Sequence, residues 1–162
     1  MASGQETAHK TNAMRLLESL SIPYSALTYD ASDPDSDASD VAKQVGLPPS
    51  EVFKTLVARG DKNGINVFCV PADASLDLKK AASASGNKKT ELVAVKELFA
   101  LTGCVRGGCS PLCMKKHYPT FFDETMILFD AVCVSAGVRG VQIRVNPHDL
   151  LSAAGAVFAD IS

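Results

Sequence analysis

Much is missing from this chain, and each absence removes a class of protein. No apolar run in its 162 residues approaches the roughly 18 to 20 residues that a membrane-spanning helix needs. The segment Met1 to Thr11 is polar and lacks the apolar centre of a secretory signal, so the default expectation is a cytoplasmic protein with no membrane partner. There is no Gly-x-Ser-x-Gly elbow, no Walker loop and no His-Glu-x-x-His, so the serine-hydrolase, nucleotide-binding and zinc-peptidase templates find no match. His9, His117 and His148 stand apart in sequence, and none is paired with a nucleophile by any pattern. Five cysteines are an odd number and are scattered apart from one cluster, which argues against a complete disulfide framework and for reduced thiols. Neither an internal repeat nor a linker interrupts the chain.

Two segments look metal-binding at first and fail on spacing. Cys104, Cys109 and Cys113 lie five and four positions apart, matching neither the C-x2-C knuckle of zinc ribbons nor the C-x4-C-x2-C run of plant-type clusters. Asp33 to Asp40 is rich in Asp, but Ala38 stands where a calcium loop turns on Gly, and Gln44 where a bidentate Glu would close it. The expectation is therefore no metal and no cofactor.

What is present suits one domain large enough to bury a core, with 46% hydrophobic and 21% charged residues and a net charge of −2. That small net charge hides an asymmetry. Glu18 to Asp40 contains six acidic residues and no Lys or Arg, whereas Lys79 to Lys116 contains eight basic residues against Glu91 and Glu97. The basic half would attract a phosphate backbone locally, or it is a solvated lysine face.

Apolar spacing predicts a helix over Ala13 to Leu20, a strand over Tyr24 to Tyr29, and a short helix opened by Ser39 or Asp40 and closed by Gly46. A hairpin follows, Phe53 to Arg59 against Ile65 to Val70, with Lys54 set inside the apolar run. A lysine there either reaches a site or snorkels to the surface. Helices over Leu76 to Ser83 and Val95 to Leu101 flank a charged connection at Lys88 to Thr90. Strands over Ile127 to Val134 and Val141 to Val145, a helix from Asn146 or Pro147 to Ala154, and a strand over Ala156 to Ile161 complete the chain. The pattern is mixed α/β (α+β) with hairpins, not a doubly wound sheet. Its expected organisation is a flexible segment over 1–12 and one domain over 13–162.

The stretch from Gly103 to Asp123 carries three glycines and two prolines and reads as a shaped loop. Gly107 and Gly108 have no Cβ, so their backbone N–H groups can approach a ligand oxygen, and Pro111 stiffens the far end. Arg106, Lys115 and Lys116 make its flanks cationic. The same features serve a tight turn between elements.

Phe53-Lys54-Thr55-Leu56, Leu76-Asp77-Leu78-Lys79-Lys80, Thr102-Gly103, Gly107-Gly108-Cys109-Ser110-Pro111, Lys115-Lys116, Asp123 and Val134-Ser135-Ala136-Gly137-Val138-Arg139-Gly140 together resemble the YbaK family, in order and spacing, from about Met14 to Asp160. That family comprises trans-editing deacylases of Cys-tRNA(Pro). The resemblance implies a single-domain fold with a curved mixed sheet flanked by helices, metal-free hydrolysis, and tRNA(Pro) and prolyl-tRNA synthetase as partners. It implies catalytic roles for Lys54 and Gly107, and substrate contacts from Tyr29, Thr55, Gly108, Ser110, Pro111, Ser135, Gly137 and Arg139. Gln142 departs from the Asp expected at its position, and Cys109 and Cys113 replace a more usual aliphatic residue and Gly.

An aminoacyl ester is already activated, so such a site must chiefly position the carbonyl and stabilise an oxyanion. Backbone amides at Gly107 or Gly108, with the charge of Lys54, are the candidates. With no Ser–His or Cys–His pair visible, the resemblance implies attack by the substrate's own thiol. The alternatives are direct attack by water, an Ala-tRNA(Pro) deacylase of a sister branch, and a non-catalytic module that binds the tRNA terminus or a synthetase.

Overall fold

The computed structural model describes residues 9–162. The expected flexible segment over 1–12 lies outside the described residues for 1–8. Its last residues are engaged: Lys10 Nζ sits 2.7 Å from Glu18 Oε1, and Thr11 Oγ1 accepts the N–H of Met14 at 3.2 Å as the first helix's cap.

In chain order the elements are α1 (Asn12–Ser19), β1 (Tyr24–Thr28), α2 (Ala38–Val45), β2 (Phe53–Gly60), β3 (Gly64–Pro71), α3 (Leu78–Ser85), β4 (Thr90–Leu92), α4 (Val95–Thr102), β5 (Thr120–Asp123), β6 (Val132–Ser135), β7 (Val141–Val145), α5 (Pro147–Ala154) and β8 (Val157–Ala159). The mixed α/β class and the flanking helices are as expected, but the strands divide into two sheets. One is antiparallel, in the order β1-β7-β6. The other, β4-β2-β3-β5-β8, is antiparallel across β4, β2 and β3 and parallel from β3 through β5 to β8. A single parallel bridge, Val52 to Cys133, links the two at the entry to β2.

Side-chain caps explain where element boundaries differ from the sequence pattern. Asp37, not Ser39 or Asp40, caps α2 in a reciprocal box with Asp40, and Gly46 ends the helix at φ 74°. Asp77 accepts the N–H groups of Lys79 and Lys80, so α3 starts two residues later than apolar spacing suggested. The Asp123 carboxylate accepts Thr125 N–H at 3.3 Å and starts a 3₁₀ turn over Glu124–Leu128, so the predicted strand over Ile127 to Val134 is only β6. Two strands were not anticipated. β4 lies in the segment expected to be a charged connection, and β5 occupies the end of the stretch expected to be one loop, with Phe122 fully buried between β3 and β8.

The main core packs Leu17, Phe53, Phe122, Met126, Val134, Ile143 and Leu150 between the sheets, α1 and α5. A second cluster, Phe68, Val70, Ala81 and Ile161, seats α3. Each large side chain so buried contributes about 1.5 to 3 kcal/mol. Asp123 also holds the C-terminal end, accepting Ile161 N–H and Ser162 Oγ–H at 3.2 and 2.9 Å.

Candidate active site

Strand β2 leaves the bridge at Val52 and runs beneath a cavity of about 520 Å³. Its opposite wall comes from the other sheet, through Ser135, Arg139 and Gln142 on and between β6 and β7. A third side is apolar, formed by Leu92, Val93, Val95 and Leu98 around β4 and α4, and Arg106 and Gly107 stand at the loop.

Lys54 lies opposite Val70 in the β2–β3 ladder and is half-buried. Its Nζ donates to Ala72 O at 3.4 Å, and among the described residues no carboxylate pairs with it. The side chain therefore lines the cavity without an ion-pair partner, and Asp37, the carboxylate in the same lining, caps α2 through the N–H of Asp40. Next to it, Thr55 Oγ1 lies 3.5 Å from Cys69 Sγ.

Buried Thr102 anchors the Gly-rich loop: its hydroxyl donates to Leu98 O at 2.8 Å and accepts Cys104 N–H at 3.2 Å, while its carbonyl accepts Lys115 N–H. Gly107 takes φ +83°, a conformation that suits glycine, and a Cβ there would lie 3.3 Å from Arg139 Nε. Gly108 packs tighter still, since a Cβ would meet the backbone N of Arg139 at 3.1 Å. The loop thus rests directly on the β6–β7 turn.

Of the predicted site residues, Tyr29, Lys54, Thr55, Gly107, Ser135 and Arg139 come together around the cavity. Gly108, Ser110, Pro111 and Gly137 do not line it. Gly108 N–H is used within the loop, donating to Val105 O at 2.9 Å, so of the two amides considered for an oxyanion only that of Gly107 lacks a partner among the described residues. Ser110 is buried, its Oγ accepting Leu112 N–H at 3.1 Å. Pro111 borders a separate cavity of about 200 Å³ with Leu16, His117 and Tyr118. Gly137 acts behind the wall: its N–H donates to Ser135 Oγ at 3.1 Å, fixing the turn. Arg139 is held by a bond from Nη2 to Asp33 O at 2.9 Å.

The basic run stands largely apart from the cavity. Of the eight basic residues from Lys79 to Lys116, only Arg106 lines the cavity. Lys80 pairs with Asp160, and Lys88 and Lys89 give their backbone N–H groups to Asp61 at the far turn.

Gln142 is a cavity residue that sequence reasoning noted only as a departure. It is 6% exposed, and its Oε1 is buried without a partner among the described residues. Period-two alternation along Val141-Gln142-Ile143 puts Gln142 on the face opposite the core, but that face borders a cavity instead of open water. The apolar wall from Val95 and Leu98 had no signal beyond ordinary helix periodicity.

Cys109 lines the cavity, and its Sγ lies 3.2 Å from that of Cys104. The hydrogen bond shared by the two sulfurs holds Cys104 down at about 6, helped by the Thr102 hydroxyl, while the same bond and burial push Cys109 above the ordinary thiol range. Histidine is absent from the lining. Among the described residues, no group of three or more His, Cys, Asp or Glu is placed to hold a metal ion.

The aminoacyl-tRNA editing domain model matches residues 33–153. The chain is 44% identical, over 98% of its length and 96% of the relative's, to a protein of Enterococcus faecalis named as a candidate Cys-tRNA(Pro)/Cys-tRNA(Cys) deacylase, EbsC. It is 26% identical, over 93% of its length and 90% of the relative's, to the multifunctional Ser/Thr-tRNA deacylase ProXp-y of Escherichia coli. A crystal structure described as a candidate trans-editing enzyme for prolyl-tRNA synthetase superposes with a TM-score of 0.80 at 27% identity, covering 94% of this chain and 98% of that one. The cavity, its lysine and its glycine loop are thus built on a shared scaffold, and the chain belongs to the aminoacyl-tRNA editing domain family to which its YbaK-like motifs pointed.

Proposed function

We propose that this protein hydrolyses the ester of mischarged aminoacyl-tRNA in trans, with Cys-tRNA(Pro) as preferred substrate and prolyl-tRNA synthetase as a partner in the cytoplasm. The observation that carries the reading is a cavity supplied with a lysine and a backbone donor, but with no histidine beside its Ser, Thr and Cys side chains to activate one as a nucleophile. Among the described residues Lys54 has no carboxylate partner and Gly107 N–H has no acceptor, and the one thiol in the lining, Cys109, is held protonated by its neighbour. Such a site positions an activated ester and stabilises charge.

In this mechanism Lys54 draws in the anionic end of the tRNA, and Gly107 N–H donates to the carbonyl oxygen as it gains charge. The sulfur of the bound cysteine attacks its own carbonyl carbon. A C–S bond forms, the ester C–O bond breaks, and the thiol proton leaves with the ribose oxygen. Water then opens the strained thiolactone to free cysteine. Geometry supplies much of the rate, because nucleophile and carbonyl belong to one molecule. The Gln142 carboxamide gives the aminoacyl group a neutral partner on the wall, and the apolar side from Val95 and Leu98 accepts a compact side chain.

The test is a deacylation assay on Cys-tRNA(Pro), Cys-tRNA(Cys), Ser-tRNA(Pro), Ala-tRNA(Pro) and Pro-tRNA(Pro), with ester remaining followed over time. The cysteinyl esters are expected to disappear fastest and the prolyl ester to survive, with chelator leaving every rate unchanged. Equal rates on cysteinyl, seryl and alanyl esters would overturn the thiol-assisted route and indicate attack by water. Binding of tRNA without loss of any ester would identify a non-catalytic module.

A further inference from the structure

We propose that Cys104 and Cys109 are a redox modification site, a thiol pair that peroxide closes into a reversible disulfide within the Gly-rich loop, withdrawing that loop from the cavity. Their sulfurs are already in contact at 3.2 Å, in a segment without regular secondary structure where Gly103 and Gly107 take positive φ. Closing this bond therefore deforms no strand or helix. The two thiols differ in the way such chemistry requires. Cys104 is part-exposed between the exposed Gly103 and Val105, whereas Cys109 is buried at 7% exposure and borders the cavity. Cys104 is thus the accessible sulfur and Cys109 the resolving one.

Neighbouring groups favour the thiolate at Cys104. The Cys109 thiol, the Thr102 hydroxyl oxygen 3.1 Å away and the backbone of Ser110 surround its sulfur and hold its pKa below the ordinary thiol range. Attack of this thiolate on hydrogen peroxide breaks the O–O bond, leaving hydroxide and a sulfenic acid at Cys104, whose sulfur loses two electrons. Cys109 Sγ then attacks Cys104 Sγ, the S–O bond breaks, and the Cys109 proton leaves with the departing hydroxyl as water. The balance is two thiols and one peroxide to one disulfide and two waters. A thiol reductant such as dithiothreitol reverses it.

The effect on the site follows from packing. Gly107 and Gly108 lie between the two cysteines and fit against Arg139 with no spare room: a Cβ on Gly108 would already touch the Arg139 backbone at 3.1 Å. Drawing the two sulfurs from contact to bonding distance brings them more than 1 Å closer, since a disulfide is about 2.05 Å long, and pulls on the loop between them. Gly107 and its N–H shift with it. A misplacement of about 1 Å costs roughly a hundredfold where rate depends on positioning. This consequence rests on the deacylase reading above, whereas formation of the disulfide does not.

Peptide mass mapping of the folded full chain after brief treatment with hydrogen peroxide tests the first part. The expected product is a Cys104 to Cys109 link with loss of two hydrogens, absent in Cys104→Ser and in Cys104→Ala and removed by dithiothreitol. Alkylation of Cys104 in the reduced protein should reach half its maximal rate at a pH below the ordinary thiol range. Oxidation that instead stops at Cys113, or links any other pair, overturns the proposal. Deacylation of Cys-tRNA(Pro) by the same samples tests the second part: oxidised protein should be roughly a hundredfold slower, should recover with dithiothreitol, and Cys104→Ser should resist. If the link forms and the rate holds, the control of the site is wrong. If the reduced protein has no deacylase activity, the functional reading fails while the mass result still stands or falls alone.

Discussion

Strand β2 has two ends, and they treat their polar groups in opposite ways. At the hairpin end, Asn87 donates to Asn63 Oδ1 and Ser85 Oγ at 3.0 and 2.8 Å and accepts the N–H groups of Lys62 and Asn63. Asn66 donates to Asn63 Oδ1 as well, leaving its own Oδ1 as the unpaired atom of that cluster. At the cavity end, Lys54 has only a carbonyl at 3.4 Å, Gln142 Oε1 has nothing and Gly107 N–H has nothing among the described residues. An unmade bond to a buried group costs about 1 to 3 kcal/mol. One end is therefore closed on itself for stability, and the other carries incomplete bonding that a ligand can complete.

Substitutions at each end should separate the two roles, and the largest expected effect is at Lys54. Lys54→Ala should lower kcat/KM for Cys-tRNA(Pro) by roughly a thousandfold, with the denaturation midpoint nearly unchanged. Near-normal turnover would make Lys54 an ordinary strand residue and erase the contrast. The converse holds at Gly60, where a Cβ would fall 2.2 Å from Asn87 Nδ2. Gly60→Ala should reduce stability by about 3 kcal/mol in urea melts, with kcat intact in the folded fraction.

A smaller and sharper test is Gln142→Leu. Removing a buried group with an unpaired oxygen should raise stability by about 1 kcal/mol while KM for the aminoacyl-tRNA rises several-fold; a loss of stability would mean the carboxamide is satisfied in solution. Cys113 serves as a control outside both ends, because it is a non-glycine residue at φ 59°. Cys113→Gly should stabilise by about 0.5 to 1 kcal/mol and leave the deacylation rate as it is.

Legibility in the sequence followed how local the cause was. Lys54 stood out because a lysine within an apolar strand needs a destination, and Gly107 because two adjacent glycines next to an arginine need a reason. Cys113 was flagged by resemblance as standing in for Gly, and its left-handed backbone supplies the physical ground. The linear charge run did not locate the cavity, because β-hairpin and helix geometry carry Lys80 to the C-terminal end and Lys88 and Lys89 to the Asp61 turn. Nor could composition tell that Ser110 turns inward, that Gly108 has spent its N–H on Val105, or that Thr-Phe-Phe-Asp after a proline-rich loop is a strand between two parallel neighbours. Each depends on a partner distant in sequence or on the sense of a single peptide plane.

The lone Val52 to Cys133 bridge bears on how the molecule breathes. Lys54 belongs to one sheet and Ser135 and Gln142 to the other, and among the described residues no ladder ties them beside that bridge. The aperture can widen by parting a seam, with both sheets keeping their own hydrogen bonds. Amide hydrogen exchange should register this as early deuterium uptake at Val52 and Cys133 relative to the centres of β3 and β7. The seam is two residues wide in backbone bonding and is otherwise closed by side chains of the shared core, a construction suited to a guest that arrives attached to something far larger than the pocket.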